Sequence, residues 1–283
     1  MLLHARKIIN QAYNQKKLIF AFNTINAETT WAIARGVTAA KATALFEVSE
    51  KTINYLGLKT IVATIESIVQ DKSITAPLAM HLDHGHSFEV VARAIQAGFS
   101  SVMIDGSALP YKANIALTKK VVALAHKHNV IVQGEVGALQ PDKNFKTLHA
   151  AADLMTDPKQ AQEFVKLTGV DSLAVAVGTL HGPAKIFHKL PTIDFERLEA
   201  IHKLCCLPLV LHGASGVPVE QLKKAKSLGA TVANIDTEIR LAYLGGLHEQ
   251  LQIQKNEYDP RVIMLPIIEK IAKLVTKKIK SVN

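Results

Sequence analysis

Only two cysteines occur among the 283 residues, Cys205 and Cys206, and they are neighbours. Adjacent cysteines cannot close an ordinary disulfide without distortion, and no other thiol is present to pair with either. A reducing, cytoplasmic setting is the expectation, with a fold held by its core alone. Aromatic residues are sparse too, at 5% with a single Trp, which argues against the stacking platforms that single-stranded nucleic acid needs. No uncharged run is long enough to cross a membrane, and the opening "MLLHARKIINQAYNQKK" has too short an apolar stretch for a signal peptide. Nor does a Pro/Gly/Ser-rich linker divide the chain, so residues 1–283 read as one domain.

What is present is a core-forming composition, 48% hydrophobic and 20% charged. Lys and Arg outnumber Asp and Glu by 33 to 24. Such an excess suits nucleic acid, an anionic membrane surface or phosphorylated small molecules. The Lys run "KLVTKKIK" near the end is interleaved with apolar residues, as on an amphipathic helix, so most of this charge reads as a solvated face. Nucleic acid and membrane are therefore set aside as partners.

Eight short apolar runs recur along the chain, at 18–23, 44–49, 76–85, 101–107, 130–137, 172–179, 207–215 and 231–237. Between them lie amphipathic segments such as "FEVVARAIQAG", with apolar positions three and four apart. Near-continuous apolar strands imply burial on both faces, hence parallel pairing under a layer of helices. Eight strand–helix units over about 250 residues match a (β/α)8 TIM barrel, an α/β fold. An open doubly wound sheet is the alternative, but no Gly-rich phosphate fingerprint follows the first strand. The longest stretch without strand pattern, 138–156, reads as a loop over the barrel mouth.

Polar residues gather where those strands end: Asn23, Ser49, Asp83 with His84, Asp105, Glu135, His181, His212 with Ser215, and Asn234 with Asp236. In a parallel barrel these ends converge on one face, the place of its chemistry. His84, His181 and His212 would be three imidazoles facing one point, a common shell for catalytic zinc with a position left open. Their separation in sequence matches no short zinc pattern, so on spacing alone metal ligation and structural histidines both stand. His81, His86, His126, His128, His149 and His188 read as structural or surface residues. Gly182, Gly213 and Gly216 allow close backbone approach and can present N–H groups. The loops after the seventh and eighth strands are the usual phosphate grip of this barrel. With the basic balance, that favours a phosphorylated substrate over simple turn glycines.

The motifs "HLDHG", "SVMIDGS", "GTLHG", "LVLHGASGVP" and "NIDTE" resemble those of the class II, metal-dependent fructose-bisphosphate aldolase family. That family includes tagatose-bisphosphate aldolases and the 5-dehydro-2-deoxyphosphogluconate aldolases of inositol breakdown. The resemblance runs from "AFNTINAET" to "YDPRVIMLP". It implies His84, His181 and His212 as zinc ligands, with Asp105 and Glu135 orienting them or holding a second or displaced metal. It implies Asp83 as the acid/base at the C4 hydroxyl of a ketose bisphosphate, most simply fructose 1,6-bisphosphate. Cleavage then yields dihydroxyacetone phosphate and glyceraldehyde 3-phosphate. Ser49, Gly182, Lys185, Gly213, Ser215, Asn234, Asp236 and Thr237 match substrate-binding positions, and Asn234 also reaches the reacting carbonyl side. Gly182, Gly213 and Ser215 can serve a monovalent cation, Na+ or K+, near the phosphate. Arg261 matches an arginine that reaches the distal end of the substrate from a neighbouring subunit, and the family implies a homodimer or homotetramer.

Two stretches depart from the family. The loop after the fifth strand reads "EVGALQPDKNFKTLH", without the usual glycine pair. Only Asp142 stands near the expected loop acid, with Lys143 and Asn144 where acids are common. Gln133 replaces the upstream glutamate of the usual pair. After the second strand, "SEKTINYLG" carries Lys51 in the place of a glycine, more like the inositol-pathway enzymes. Three readings follow: a fructose-bisphosphate aldolase, an aldolase with another acceptor, and a barrel that keeps its pockets but has lost catalysis.

Overall fold

The computed structural model describes residues 2–137, 155–179, 182 and 192–283. Its strands are β1 (Ile19–Asn23), β2 (Ala44–Ser49), β3 (Leu78–Gly85), β4 (Ser101–Ile104), β5 (Ile131–Val136), β6 (Ser172–Val175), β7 (Leu209–Leu211) and β8 (Ala230–Ile235). Seven fall within the runs read from the sequence, and β8 begins one residue before its run. Each pairs in parallel with the next, and β8 pairs back onto β1, which closes the barrel and excludes an open sheet. Asp142, His181 and Lys185 lie outside the described residues, as does most of the 138–156 loop.

Among the described residues eleven helices surround the barrel: α1 (Ala5–Asn14), α2 (Ala27–Ala39), α3 (Glu50–Leu56), α4 (Leu58–Gln70), α5 (Phe88–Gln96), α6 (Tyr111–Lys127), α7 (Pro158–Thr168), α8 (Phe195–Cys205), α9 (Val219–Ser227), α10 (Thr237–Ile253) and α11 (Pro260–Val282). The strands are buried on both faces because the two faces meet different cores. Outward side chains such as Phe20, Phe22, Phe46 and Leu82 pack under the helices and are almost fully buried. Full burial of such a side chain stabilises the fold by about 1.5–3 kcal/mol. The inward alternates Ile19, Ala21, Leu45, Ala79, Met103, Ile131, Ala174, Val210 and Val232 fill the lower barrel.

The bottom of the barrel is closed by the chain's own start. Ala5, Ile8, Ile9 and Ala12 of α1, at helical spacing, join the inward core. Leu3 N–H donates to the Leu78 carbonyl at 2.7 Å, fixing the segment before α1 to the base of β3. At the other end of the chain, α11 lies against α2 where Gly36 lets the two backbones meet. A methyl placed there would stand 2.6 Å from Val275 Cβ and 2.7 Å from the Ala272 carbonyl. No helix among the described residues is long and apolar enough to cross a membrane.

Candidate active site

On five of the strands the next inward position changes from apolar to polar. Above Ala21 comes Asn23; above Leu45, Glu47 and Ser49; above Ile131, Gln133 and Glu135; above Val210, His212; and above Val232, Asn234. This inversion opens a cavity of about 490 Å³ at the C-terminal ends of the strands, a volume suited to a small-molecule ligand.

Asp83 and His84 are consecutive, and a regular strand would send them to opposite faces. A bulge resolves the conflict. From Leu82 to Gly85 β3 advances three residues while β4 advances two, from Val102 to Ile104. His84 takes up the extra residue in the left-handed region, with φ 46°, a conformation that costs a non-glycine residue about 1–2 kcal/mol. Both side chains then line the cavity.

Two imidazoles meet there edge to face. His84 Nε2 lies 3.0 Å from His212 Nδ1, with the ring planes at 76°. The outer nitrogen of each ring is engaged. His84 Nδ1 donates to Asp105 Oδ2 at 2.8 Å, and Glu135 Oε2 stands 3.9 Å from the same nitrogen. His212 Nε2 faces the carboxamides of Gln133 at 2.8 Å and Asn234 at 3.2 Å. Asp83 is buried; its Oδ2 accepts from Asn23 Nδ2 at 2.9 Å, and its Oδ1 has no hydrogen-bond partner.

These contacts set the charges. Burial would depress the His84 imidazole, but Asp83, the bond to Asp105 and Glu135 overcome it and hold the ring up at about 10. Burial opposes ionisation of Asp83, yet His84, His212 and the Asn23 amide keep its carboxyl below the ordinary value. Glu135 goes the other way: burial, then the charge of Asp105, pushes it up to about 8. Donor atoms of Asp83, His84 and His212 lie within 4.8 Å of one another, and so do those of His84, Asp105 and Glu135. Facing imidazole nitrogens beside the orphaned buried oxygens Asp83 Oδ1 and Glu135 Oε2 fit a borderline cation of the zinc type.

The other side of the mouth is built from Gly182, Gly213, Ser215, Asp236, Thr237 and Arg240. Gly182 and Gly213 have φ 97° and 65°, which glycine alone adopts freely. Gly216 does not join this rim as the sequence suggested: its N–H donates to Glu238 Oε1 at 2.7 Å, and Glu238 in turn pairs with Lys278. Asp236 accepts from Arg240 Nε at 2.6 Å, and burial raises its carboxyl. Ser49 lines the cavity and caps α3, its Oγ accepting from Thr52 N–H at 3.3 Å.

Arg261 is not brought to this cavity within the chain. It is 86% exposed and paired with Asp259 at 2.8 Å. His86, expected at the surface, stands at the rim: it lines the cavity with Glu50, Lys51, Asn54 and Ser107, and its N–H donates to Glu50 Oε2. Glu47 was missed by the sequence reading, although it is the one charged residue inside "ALFEVS" and shares the inward parity of Leu45 and Ser49. Arg240 was missed as well, one helical turn beyond Asp236.

A family model described as fructose-bisphosphate aldolase class-II matches residues 3–283. The probable fructose-bisphosphate aldolase of Bacillus subtilis (strain 168) is 39% identical over 280 residues, covering 99% of this chain and 96% of that one. The fructose-bisphosphate aldolase of Geobacillus stearothermophilus is 38% identical with the same coverage. Among solved structures, the YdjI aldolase from Escherichia coli K12 superposes with a TM-score of 0.85 at 30% identity, over 100% of this chain and 98% of that one.

Proposed function

The chain belongs to the class II fructose-bisphosphate aldolase family, and we propose that its barrel mouth cleaves fructose 1,6-bisphosphate to dihydroxyacetone phosphate and glyceraldehyde 3-phosphate. The observation that carries this reading is the pairing of two facing imidazoles with an ionised buried carboxylate one residue away on the same bulged strand. His84, His212 and, outside the described residues, His181 would hold a zinc ion. Bound there, the ion supplies Lewis-acid chemistry, drawing charge off the substrate ketone.

The chain's own residues divide the remaining work. Asp83 takes the proton of the C4 hydroxyl, and Asn23 holds the carboxylate in place for that transfer. Asp105 accepts from His84 Nδ1, so the proton that must leave for a metal to bind would come off Nε2, the nitrogen that faces His212. Glu135, close to the same ring, supports it or receives a displaced ion. Asn234 contacts the reacting carbonyl side. Gly182, Lys185, Gly213, Ser215, Asp236 and Thr237 take the phosphate of the three-carbon half, with Ser49 at the opposite wall. Gly182, Gly213 and Ser215 offer oxygens for Na+ or K+ beside that phosphate. Asp142 is the loop acid of the family pattern in this chain.

A second acceptor is favoured by one observation: Lys51 lines the mouth, and its charge acts on Asp236 across it. A tagatose bisphosphate or a 5-dehydro-2-deoxyphosphogluconate ends differently at that wall. A homodimer or homotetramer is supported by the exposed apolar stripe Leu241, Leu244 and Leu251 on α10 with Tyr258 and Leu265 beyond it. Arg261, free of its own cavity, is placed to serve a neighbour's. Cytoplasmic residence fits the two unpaired cysteines.

The test is release of dihydroxyacetone phosphate from fructose 1,6-bisphosphate by the purified chain, with chelator and with zinc restored. Chelator-sensitive release supports the reading. Absence of release from a zinc-loaded chain overturns it and moves the assignment to another acceptor or to a barrel without catalysis.

A further inference from the structure

A second cavity, of about 670 Å³, lies at the other end of the barrel from the mouth. It opens beside α1, among the ends of α1, α2 and α11 and the segments that lead into β1, β2 and β3. Three lysines line it: Lys17 follows α1, Lys41 follows α2, and Lys280 belongs to the last turn of α11. Among the described residues no Asp or Glu lines this cavity, and none of the three ammonium groups forms an ion pair.

Lysines often gather at helix C-termini, where unsatisfied carbonyls and about half a negative charge attract them. Here the carbonyls are already engaged. The N–H groups of Gln15, Lys16 and Lys17 donate to Gln11, Tyr13 and Ala12 at the end of α1. Those of Ala40, Lys41 and Ala42 donate to Gly36, Thr38 and Val37 of α2. Against about half a charge per helix, each lysine brings a whole one, so the cavity keeps a positive excess. Lys41 also stands at φ 52°, a turn conformation that glycine or asparagine takes more easily. Hydroxyls stand beside these charges. Thr38 Oγ1 accepts from Ala76 N–H at 3.3 Å, which leaves its own O–H to donate, and Thr43 and Thr75 line the same cavity. Leu18, Phe20 and Ile279 give it an apolar floor.

We propose that this cavity is a second binding site, separate from the mouth, for a phosphorylated small molecule. Lys17, Lys41 and Lys280 hold the phosphate, the threonine hydroxyls donate to its oxygens, and the rest of the ligand lies over the apolar floor. The volume is that of an ordinary small-molecule site. Ammonium groups are compact point charges that suit a tetrahedral phosphate. A flat carboxylate is better matched by the fork of an arginine, and no arginine lines this cavity. The bound ligand ties the segment after α1 and the turn after α2 to the end of α11, joining both ends of the chain at the barrel base. The site stands apart from the aldolase reading, because none of its residues reaches the mouth.

The experiment uses the zinc-loaded full chain and two probes. Crystals soaked in tungstate, a tetrahedral dianion, locate the site by anomalous scattering: a tungsten peak among the three lysines is expected, whatever binds at the mouth. In solution, calorimetric titration with inorganic phosphate compares wild type with the combined variant Lys17→Gln, Lys41→Gln, Lys280→Gln. A lost hydrogen bond to a charged group is worth about tenfold or more in affinity, so the variant should bind phosphate at this site at least about tenfold more weakly. Malonate, a dianion with flat carboxylates, should bind wild type more weakly than phosphate does. The absence of tungsten at the base overturns the proposal. So does a tungsten peak accompanied by equal phosphate binding in the variant, which marks an adventitious ion only, and so does malonate binding as tight as that of phosphate. Should the variant not fold, the tungsten position and the malonate comparison, both made on wild type, decide. Tungsten at the base of a chain that cleaves no fructose 1,6-bisphosphate supports this site and overturns only the aldolase reading.

Discussion

Replacing Asp105 by Asn changes one atom in a contact that orients a metal-ligand candidate. The carboxylate accepts from His84 Nδ1 through Oδ2 at 2.8 Å, while its Oδ1 accepts from Ser107 N–H at 3.1 Å and from Ser107 Oγ at 2.7 Å. A carboxamide has one oxygen for these two jobs. If that oxygen stays with Ser107, the NH2 faces His84 and drives the ring proton to Nε2, the nitrogen that must be bare to ligate. If it turns to His84, two donors of Ser107 face an NH2. A hydrogen bond to a charged group contributes about 1.5–3 kcal/mol, and each 1.4 kcal/mol is tenfold in affinity, so zinc should bind about 10- to 140-fold more weakly. This range agrees with the usual effect of removing an outer partner of a ligating histidine. Competition with a chromophoric chelator measures it. Zinc affinity equal to wild type would refute the assignment of Asp105 as the orienter of His84.

Glu47→Gln has a signature in stability. Burial first, then the charges of Asp83 and Asp236, hold the folded-state value of Glu47 above its unfolded one, so its contribution is complete below about pH 4.5 and is lost as pH rises toward the folded value, with a slope of up to about 1.4 kcal/mol per pH unit. The variant should therefore gain Tm relative to wild type as pH rises above 5; a pH-independent difference would contradict a neutral Glu47 carboxyl. Gly36→Ala drives a methyl into Val275 and the Ala272 carbonyl, an overpacking expected to cost about 1–3 kcal/mol, read as a Tm loss in calorimetry; an unchanged Tm would show that α11 shifts freely. Leu244→Glu places a charge in the exposed α10 stripe and should halve or quarter the mass measured by sedimentation. An unaltered mass would remove this face from the assembly.

The barrel was legible because its strands are apolar on both sides, a pattern that only a sheet between two cores produces. The polar ring at the mouth was legible for a related reason, since charged residues closing apolar runs must find solvent or a ligand. What the pattern hides is direction. Alternation places Asp83 and His84 on opposite faces, and nothing in "HLDHG" marks a bulge except the glycine after it. Glu47 followed the inward parity of Leu45 and Ser49, so its position was readable; its lack of a hydrogen-bond partner among the described residues was not, because that depends on where Asn23 and His81 spend their hydrogen bonds. The commitment of Gly216 to Glu238 is likewise a long-range contact that no local spacing encodes.

The helix that seals the base of the barrel has a kinetic consequence. With Ile8, Ile9 and Ala12 seated among the inward residues of the strands, the barrel is plugged at its base, and among the described residues the cavity that holds His84 and His212 opens on the side of the strand C-termini. A sugar that would fill the mouth then stands between solvent and whatever His84 and His212 hold, so a chelator should strip metal more slowly from the chain saturated with fructose 1,6-bisphosphate than from the free chain; equal release rates would contradict the shared entrance.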